Sequence, residues 1–287
     1  MSTDTANRQP LPARLRLPGA ILALAALAMA GFTTAAQANL VSNGSFETFS
    51  NTASGCTNSS QQVVNSGTSS NLTGWTTGPG TAASPPSPPN TSYTFVLSTS
   101  NYSSFQPLAA DNSGNCSAIG LQSTITASGD GGNFVASDPK YENGAYTLAQ
   151  TITGLLIGST YNVTFDMGAG QQTTFSGATT DWWTVGLTNT AGSGTSQTTP
   201  TITLPSGGFS GWVGETMQFV AGATSQVLWF MGGSTAASGQ PPFVLLDGVN
   251  LTLTNSQVPV PEPPAYAMLM AGLLGLLGVR RLYRRKS

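Results

Sequence analysis

The sequence predicts an all-β domain, a jelly-roll β-sandwich, set between two terminal apolar segments. Three observations predict it. No stretch between Asn39 and Thr254 keeps the i, i+3, i+4 apolar spacing of an amphipathic helix, and short runs instead alternate apolar with polar side chains. Gly, Asn, Ser and Thr punctuate these runs as turns do in a many-stranded sandwich. The stretch holds about 216 residues, enough for one domain with a core of its own.

The elements follow in order. Leu148, Gln150 and Ile152 make one strand, Gly154-Leu155-Leu156-Ile157-Gly158 connects it onward, and Tyr161, Val163 and Phe165 alternate with Asn162, Thr164 and Asp166 in the next. Trp183, Val185 and Leu187 oppose Trp182, Thr184 and Thr188. Met217 to Val220, Val227 to Met231 and Phe243 to Leu253 complete the series, and the run around Trp229 is apolar enough to be buried on both faces. Ser84-Pro85-Pro86-Ser87-Pro88-Pro89 reads as an extended surface loop, because proline removes ladder donors.

The two ends are addresses. Arg8, Arg14 and Arg16 precede an apolar stretch from Ala20 to Ala30, and Ala36-Gln37-Ala38 supplies the small-residue cleavage pattern before Asn39. Residues 1–38 are therefore expected to be a signal peptide, removed by signal peptidase. Residues 255–264 form a linker containing Pro259-Val260-Pro261-Glu262-Pro263-Pro264, residues 265–279 an apolar run, and residues 280–287 a basic tail. As a helix the run spans about 22 Å at ~1.5 Å per residue, short of a ~30 Å hydrocarbon core. It is expected to cross a membrane only with local thinning, the basic tail on the cytoplasmic side and the domain outside.

The formal net charge of −2 conceals a sharp division. Eight of the nine basic residues lie in the terminal segments, so between Asn39 and Val260 Lys140 faces nine carboxylates, a net charge of −8. Nucleic-acid binding exchanges condensed counterions for basic side chains, and their lack excludes that partner. The chain has no histidine, which removes Ser-His-Asp and Cys-His nucleophiles and the usual catalytic zinc sites. Cys56 and Cys116, in an exported chain and without activating cations nearby, are expected to form a disulfide.

Individual residues then stand out. Alternation places Asp247 on the face of Phe243, Leu245, Val249 and Leu251, the inward face, and a buried carboxylate must be paired, metal-bound or protonated. Lys140 alone is available to pair it; acceptance of backbone N–H groups near a strand end is the simpler alternative. Trp182 shares a face with Thr184, and Tyr141 lies in the polar stretch Asp138 to Gly144; both are candidates to stack on a sugar ring. A glycosidase would need a carboxylate pair such as Asp166 with Asp181 or Glu215, and nothing in the sequence fixes their separation.

Two resemblances add to this reading. Pro261-Glu262-Pro263 before a short apolar run and an arginine cluster resembles the PEP-CTERM sorting signal of Gram-negative bacteria. That resemblance implies export, processing by an exosortase, transient membrane anchoring, and association with exopolysaccharide and biofilm. Asn39-Leu40-Val41-Ser42-Asn43-Gly44-Ser45-Phe46-Glu47, the strand pair around Gln150 and Tyr161 to Phe165, and Leu245 to Leu251 resemble a galactose-binding-like domain. This implies a jelly roll of the kind found in carbohydrate-binding modules, and a structural Ca²⁺ held by Glu47 and Asp247, whose oxygen ligands suit that ion. The expected function is a non-enzymatic surface or matrix protein that binds polysaccharide, the alternative a structural or adhesive coat component with no small-ligand site.

Overall fold

The computed structural model describes residues 38–50, 52–53, 59–66, 69–78, 91–105, 119–139, 146–235 and 241–254. Residues 1–37, both cysteines, Lys140, Tyr141, the proline-rich loop and everything after Thr254 lie outside the described residues. The strands are β1 (Thr52–Ala53), β2 (Ser59–Ser60), β3 (Gln62–Ser66), β4 (Ser69–Ser70), β5 (Thr76–Thr77), β6 (Thr91–Ser98), β7 (Asn133–Ser137) and β8 (Leu148–Thr153). They continue as β9 (Thr160–Gln171), β10 (Thr179–Thr188), β11 (Ser196–Thr198), β12 (Ile202–Leu204), β13 (Val213–Val220), β14 (Ser225–Ser234) and β15 (Pro242–Leu253).

These strands build two antiparallel sheets. One has the order β11-β10-β14-β8-β5, with β12 also on β10, and the other β13-β9-β15-β7-β6-β3-β4; β1 and β2 pair separately. Among the described residues every regular element is a strand, and no helix is long and apolar enough to cross a membrane. The inward residues of β8, β10 and β14 meet those of β9, β13 and β15 in one core, with Trp183, Val185, Phe230, Val163, Phe165, Met167, Val244 and Leu246 all buried. Trp183 packs edge-on against Phe230 at 6.0 Å, and its indole N–H donates to Leu245 O at 2.9 Å, so the largest core side chain also bonds the two sheets together.

Tertiary structure corrects two expectations drawn from local pattern. β8 and β9 are consecutive but do not pair: β8 lies between β14 and β5, and β9 between β13 and β15. The segment between them is an arch from sheet to sheet, with Gly154 and Gly158 at φ +80° and +79° and Leu155 turned into the core. The second correction concerns Asp247. Val244 and Leu246 face the main core while Phe243 and Leu245 face an outer cluster with Phe95, Phe105, Leu121 and Phe134. The ladder slips between Asp247 and Asn250, with Gly248 at φ +60°, and this bulge returns Val249 and Leu251 to the main core. Asp247 therefore shares a face with Phe243 and Leu245 and not with Val249 and Leu251.

The N-terminal segment stitches the sheets. Gln150 on β8 accepts from Ser42 N–H at 2.7 Å and donates to Ser42 O at 2.8 Å, mimicking a strand neighbour. Gly44 O accepts from Val249 N–H at 3.0 Å on β15, and a Cβ at Gly44 would stand 2.0 Å from Val249 O, so glycine alone fits. Asn43 donates to Thr48 O and Thr73 O, and its own carbonyl accepts from the Trp75 indole at 2.9 Å. The Asn-Gly-Ser-Phe motif is thus a structural clamp, and it seats Phe46 beside Trp75 with ring centroids 5.5 Å apart.

Candidate functional site

The outer face of β13, β9 and β15 is polar by alternation. Because Phe165, Val163 and Tyr161 point into the core, their neighbours Asp166, Thr164 and Asn162 point away, and cross-strand register adds Gly214, Thr216 and Gln218 on one side and Asp247, Asn250 and Thr252 on the other. The loop carrying Gly129 and Asp130 rises beside this face. Together they form a groove of about 440 Å³ lined by Asp130, Thr164, Asp166, Thr216 and Asn250, with Glu215 at its edge.

Asp247 lies across the ladder from Asp166, beside the groove residue Gly248, and is 1% exposed. It accepts hydrogen bonds from the Ser128 hydroxyl and from Gly248 N–H, the latter at 2.8 Å. Burial pushes its carboxyl up to about 7; the two hydrogen bonds oppose that rise, and the nearby Asp130 and Asp166 add to it. Glu215 is also raised, by burial. Asp166 accepts from Gly129 N–H at 3.2 Å, and Asn250 donates to Gly248 O, leaving its amide oxygen as an acceptor for the groove. The groove thus offers carboxylate, amide and hydroxyl groups on rigid strands, a set suited to hydrogen-bonding a polyhydroxylated ligand.

Glu47 and Asp247 each accept hydrogen bonds from one loop. Glu47 accepts from Asn133 N–H at 2.7 Å and from its side-chain amide at 3.3 Å, whereas Asp247 holds Ser128. The two carboxylates fasten opposite ends of the Ser128–Asn133 loop, and both are engaged by protein donors. Gly132 sits where a side chain would strike the Glu47 carboxylate, at φ +69°. Among the described residues no group of three or more acidic, His or Cys side chains is placed to hold a metal. A shared Ca²⁺ on Glu47 and Asp247 would have to compete with these protein donors.

The proposed acid pairs fare differently. Asp181 lies in the sandwich interior, fully buried, accepting from Thr179 at 3.0 Å, while Asp166 faces outward. Burial pushes Asp181 up to about 7, opposed by hydrogen bonds from Thr179 and Ser234, and its Oδ1 has no hydrogen-bond partner among the described residues. Glu215 shares the groove with Asp166, but its register partner is Phe165, so the two carboxylates leave opposite faces of the sheet.

Trp182 points outward from β10, opposite to the buried Trp183, and is half-buried. Its register partner is Gly233, and a Cβ there would stand 2.3 Å from the indole, so the ring lies flat across the neighbouring strand. Trp229 does the same on Gly186 and caps the contact with a 2.9 Å bond from its indole N–H to Thr188. The outward tryptophans are thus seated on glycines of the adjacent strand. Tyr141, Cys56, Cys116, Ala36, Ala38, Pro261, Glu262 and Pro263 are outside the described residues; Asn39 accepts from Leu251 N–H at 2.9 Å and anchors the start of the domain.

Sequence reasoning missed Thr164, Thr216 and Asn250 as groove residues. Asp130 reaches the groove from a loop that the tertiary fold sets beside Gly248.

No protein-family profile matches the chain, and no curated protein sequence matches it. Similar solved structures include the enzymatically active domain of tailspike protein 4 of Bacteriophage CBA120, at 13% identity over 75% of this chain and 21% of that one, TM-score 0.33. This chain therefore spans about a fifth of the tailspike chain. A structure described as "CBM4 structure and function" is similar at 13% identity over 74% of this chain and 99% of that one, TM-score 0.31. The N-terminal cellulose-binding domain of Cellulomonas fimi β-1,4-glucanase C is similar at 19% identity over 48% and 84%, TM-score 0.23. The scores are low, and the all-β, two-sheet assignment rests on the strand ladders themselves.

Proposed function

We propose that the chain is an exported, non-enzymatic cell-surface or extracellular-matrix protein whose sandwich, of galactose-binding-like jelly-roll type, binds polysaccharide. The observation that carries this reading is the outer groove, where Asp130, Thr164, Asp166, Thr216 and Asn250 present hydrogen-bonding groups from a sheet face fixed by its own core. Such groups match sugar hydroxyls, and the absence of histidine from the chain removes the commonest general base. The carboxylates in the groove disfavour acidic glycans, so the ligand class is neutral polysaccharide. Trp182 is a second contact, by stacking on the other sheet, and Tyr141 a third.

Export follows from the terminal segments: cleavage by signal peptidase after Ala38, transient membrane anchoring through residues 265–279, and processing by an exosortase at Pro261-Glu262-Pro263. The resemblance of residues 261–287 to a PEP-CTERM sorting signal supports a role among exopolysaccharide and biofilm components of a Gram-negative bacterium. Affinity electrophoresis against a panel of neutral and acidic polysaccharides tests the binding. Retardation by a neutral glycan, weakened in Asp166→Asn and in Thr164→Ala, supports the groove; loss in Trp182→Ala alone moves the site to the opposite sheet. No retardation by any glycan leaves the structural coat component as the function.

A further inference from the structure

Among the described residues, the exposed large hydrophobic side chains are Leu156, Ile157, Val213 and Val220, at 51%, 67%, 45% and 62% exposure. Scattered apolar side chains are ordinary on a protein surface, but three of these gather at one end of the sandwich. The arch from β8 to β9 carries Leu156 and Ile157, and its Gly158 N–H donates to Ala221 O at 2.8 Å, directly after Val220. Val220 is itself the register partner of Thr160.

The same end is where the domain releases its C-terminus. Thr254 N–H donates to Thr160 O at 2.9 Å, the last hydrogen bond before residues 255–264 and the apolar run 265–279. Ten extended residues reach at most about 35 Å, so an embedded apolar run would keep this end of the domain near the bilayer. We propose that this end lies against the lipid surface while the C-terminal segment is embedded, with Leu156, Ile157 and Val220 entering the interface. The proposal rests on the membrane-anchored reading of residues 265–279 given above.

Charge and shape fit that partner. Residues 148–165, 182–214, 216–246 and 248–254 contain no Asp, Glu, Lys or Arg, so the segments that carry the patch bring no charge to it, and Asp166 and Asp247 stand mid-strand on β9 and β15. A lipid headgroup layer meets no fixed negative charge there to repel it. The arch is also rigid. Leu155 is buried beneath it, and the N–H groups of Leu155, Leu156, Gly158 and Ser159 are all hydrogen-bonded, Leu156 to the Tyr161 hydroxyl at 2.8 Å. The exposed Leu156 and Ile157 are held out at small ordering cost, as apolar side chains are in interfacial anchors.

The test uses the full chain in liposomes, with an environment-sensitive fluorophore on Ile157→Cys or, at the opposite end, on Thr203→Cys, and the unsubstituted chain as the labelling blank. The expected result is flotation with the liposomes, loss of fluorescence from position 157 when the lipids are brominated near the headgroup, and no loss from position 203. Flotation with no quenching at 157 would overturn the surface contact while leaving the anchor intact. Failure to float would overturn both the embedded-segment reading and the contact. Shielding of the 157 probe without lipid, rising with protein concentration, would assign the patch to a second copy of the chain and overturn the lipid as its partner.

Discussion

Asp247 lies directly across the β9–β15 ladder from Asp166, so two carboxylates share the outer face of one sheet, one of them buried. Burial raises the Asp247 carboxyl to about 7, and the nearby Asp130 and Asp166 charges add to that rise. Asp181, in the sandwich interior, is pushed up to about 7 by burial without a second carboxylate.

These two groups give stability a definite pH dependence. Each is raised from the ordinary 3.8 to about 7 in the folded protein, so the folded state holds protons that the unfolded chain releases. Their stabilising contribution is complete below about pH 4 and is lost as pH rises to about 7. Thermal melts should show a higher Tm at pH 5 than at pH 8, and Asp181→Asn should flatten that difference. A Tm that rises from pH 5 to pH 8 would contradict the assignment.

Glu47 and Asp247 fasten the Ser128–Asn133 loop with protein donors, so excess chelator is expected to leave the melting curve of the full chain unchanged. Ser128→Ala should lower stability by roughly 1–3 kcal/mol, because it strips a buried carboxyl of a partner. A chelator-induced drop in Tm that Asp247→Asn abolishes would restore Ca²⁺ as the role of these carboxylates.

The clamp made by the N-terminal segment is testable through Gln150. Its side-chain amide satisfies both the N–H and the C=O of Ser42. Gln150→Ala leaves both without that partner and should cost roughly 2–4 kcal/mol, whereas Gln150→Glu keeps one bond and costs less. Urea melts of the three proteins give the order; equal midpoints would show that the segment is held by other contacts.

Trp182 and Trp183 separate by face. Trp183→Ala should cost about 3–5 kcal/mol, since it opens the core and removes the bond to Leu245. Trp182→Ala uncovers Gly233 and should cost about 1 kcal/mol, with any larger consequence appearing in glycan binding. If the two substitutions destabilise equally, the outward indole is a packing residue and no platform.

The cysteines are expected to be linked. A Cys56–Cys116 bond closes a loop of about 60 residues and would add roughly 4 kcal/mol in the chain-entropy treatment. Non-reducing peptide mapping of exported protein should recover the joined peptides; two alkylatable thiols would refute the link.

The sequence by itself determined what depends on period and composition. Trp183, Val185 and Leu187 are inside because strand side chains alternate, and Trp182 is outside for the same reason. The lack of histidine, and Lys140 as the one cation between Asn39 and Val260, limited chemistry before any strand was placed. What only the tertiary structure decided depends on which strands meet. Local pattern joined Gln150 and Tyr161 as neighbours, but their strands belong to different sheets, because the arch at Leu155 gains a core contact that a hairpin would leave exposed. Alternation carried through residues 243–251 put Asp247 with Val249, and the bulge at Gly248 broke that phase with one turn of backbone at positive φ. The groove was illegible for the same reason. Asp166, Thr216 and Asn250 come from separate strands that non-local hydrogen-bond register brings to one face, and Asp130 joins them from a loop.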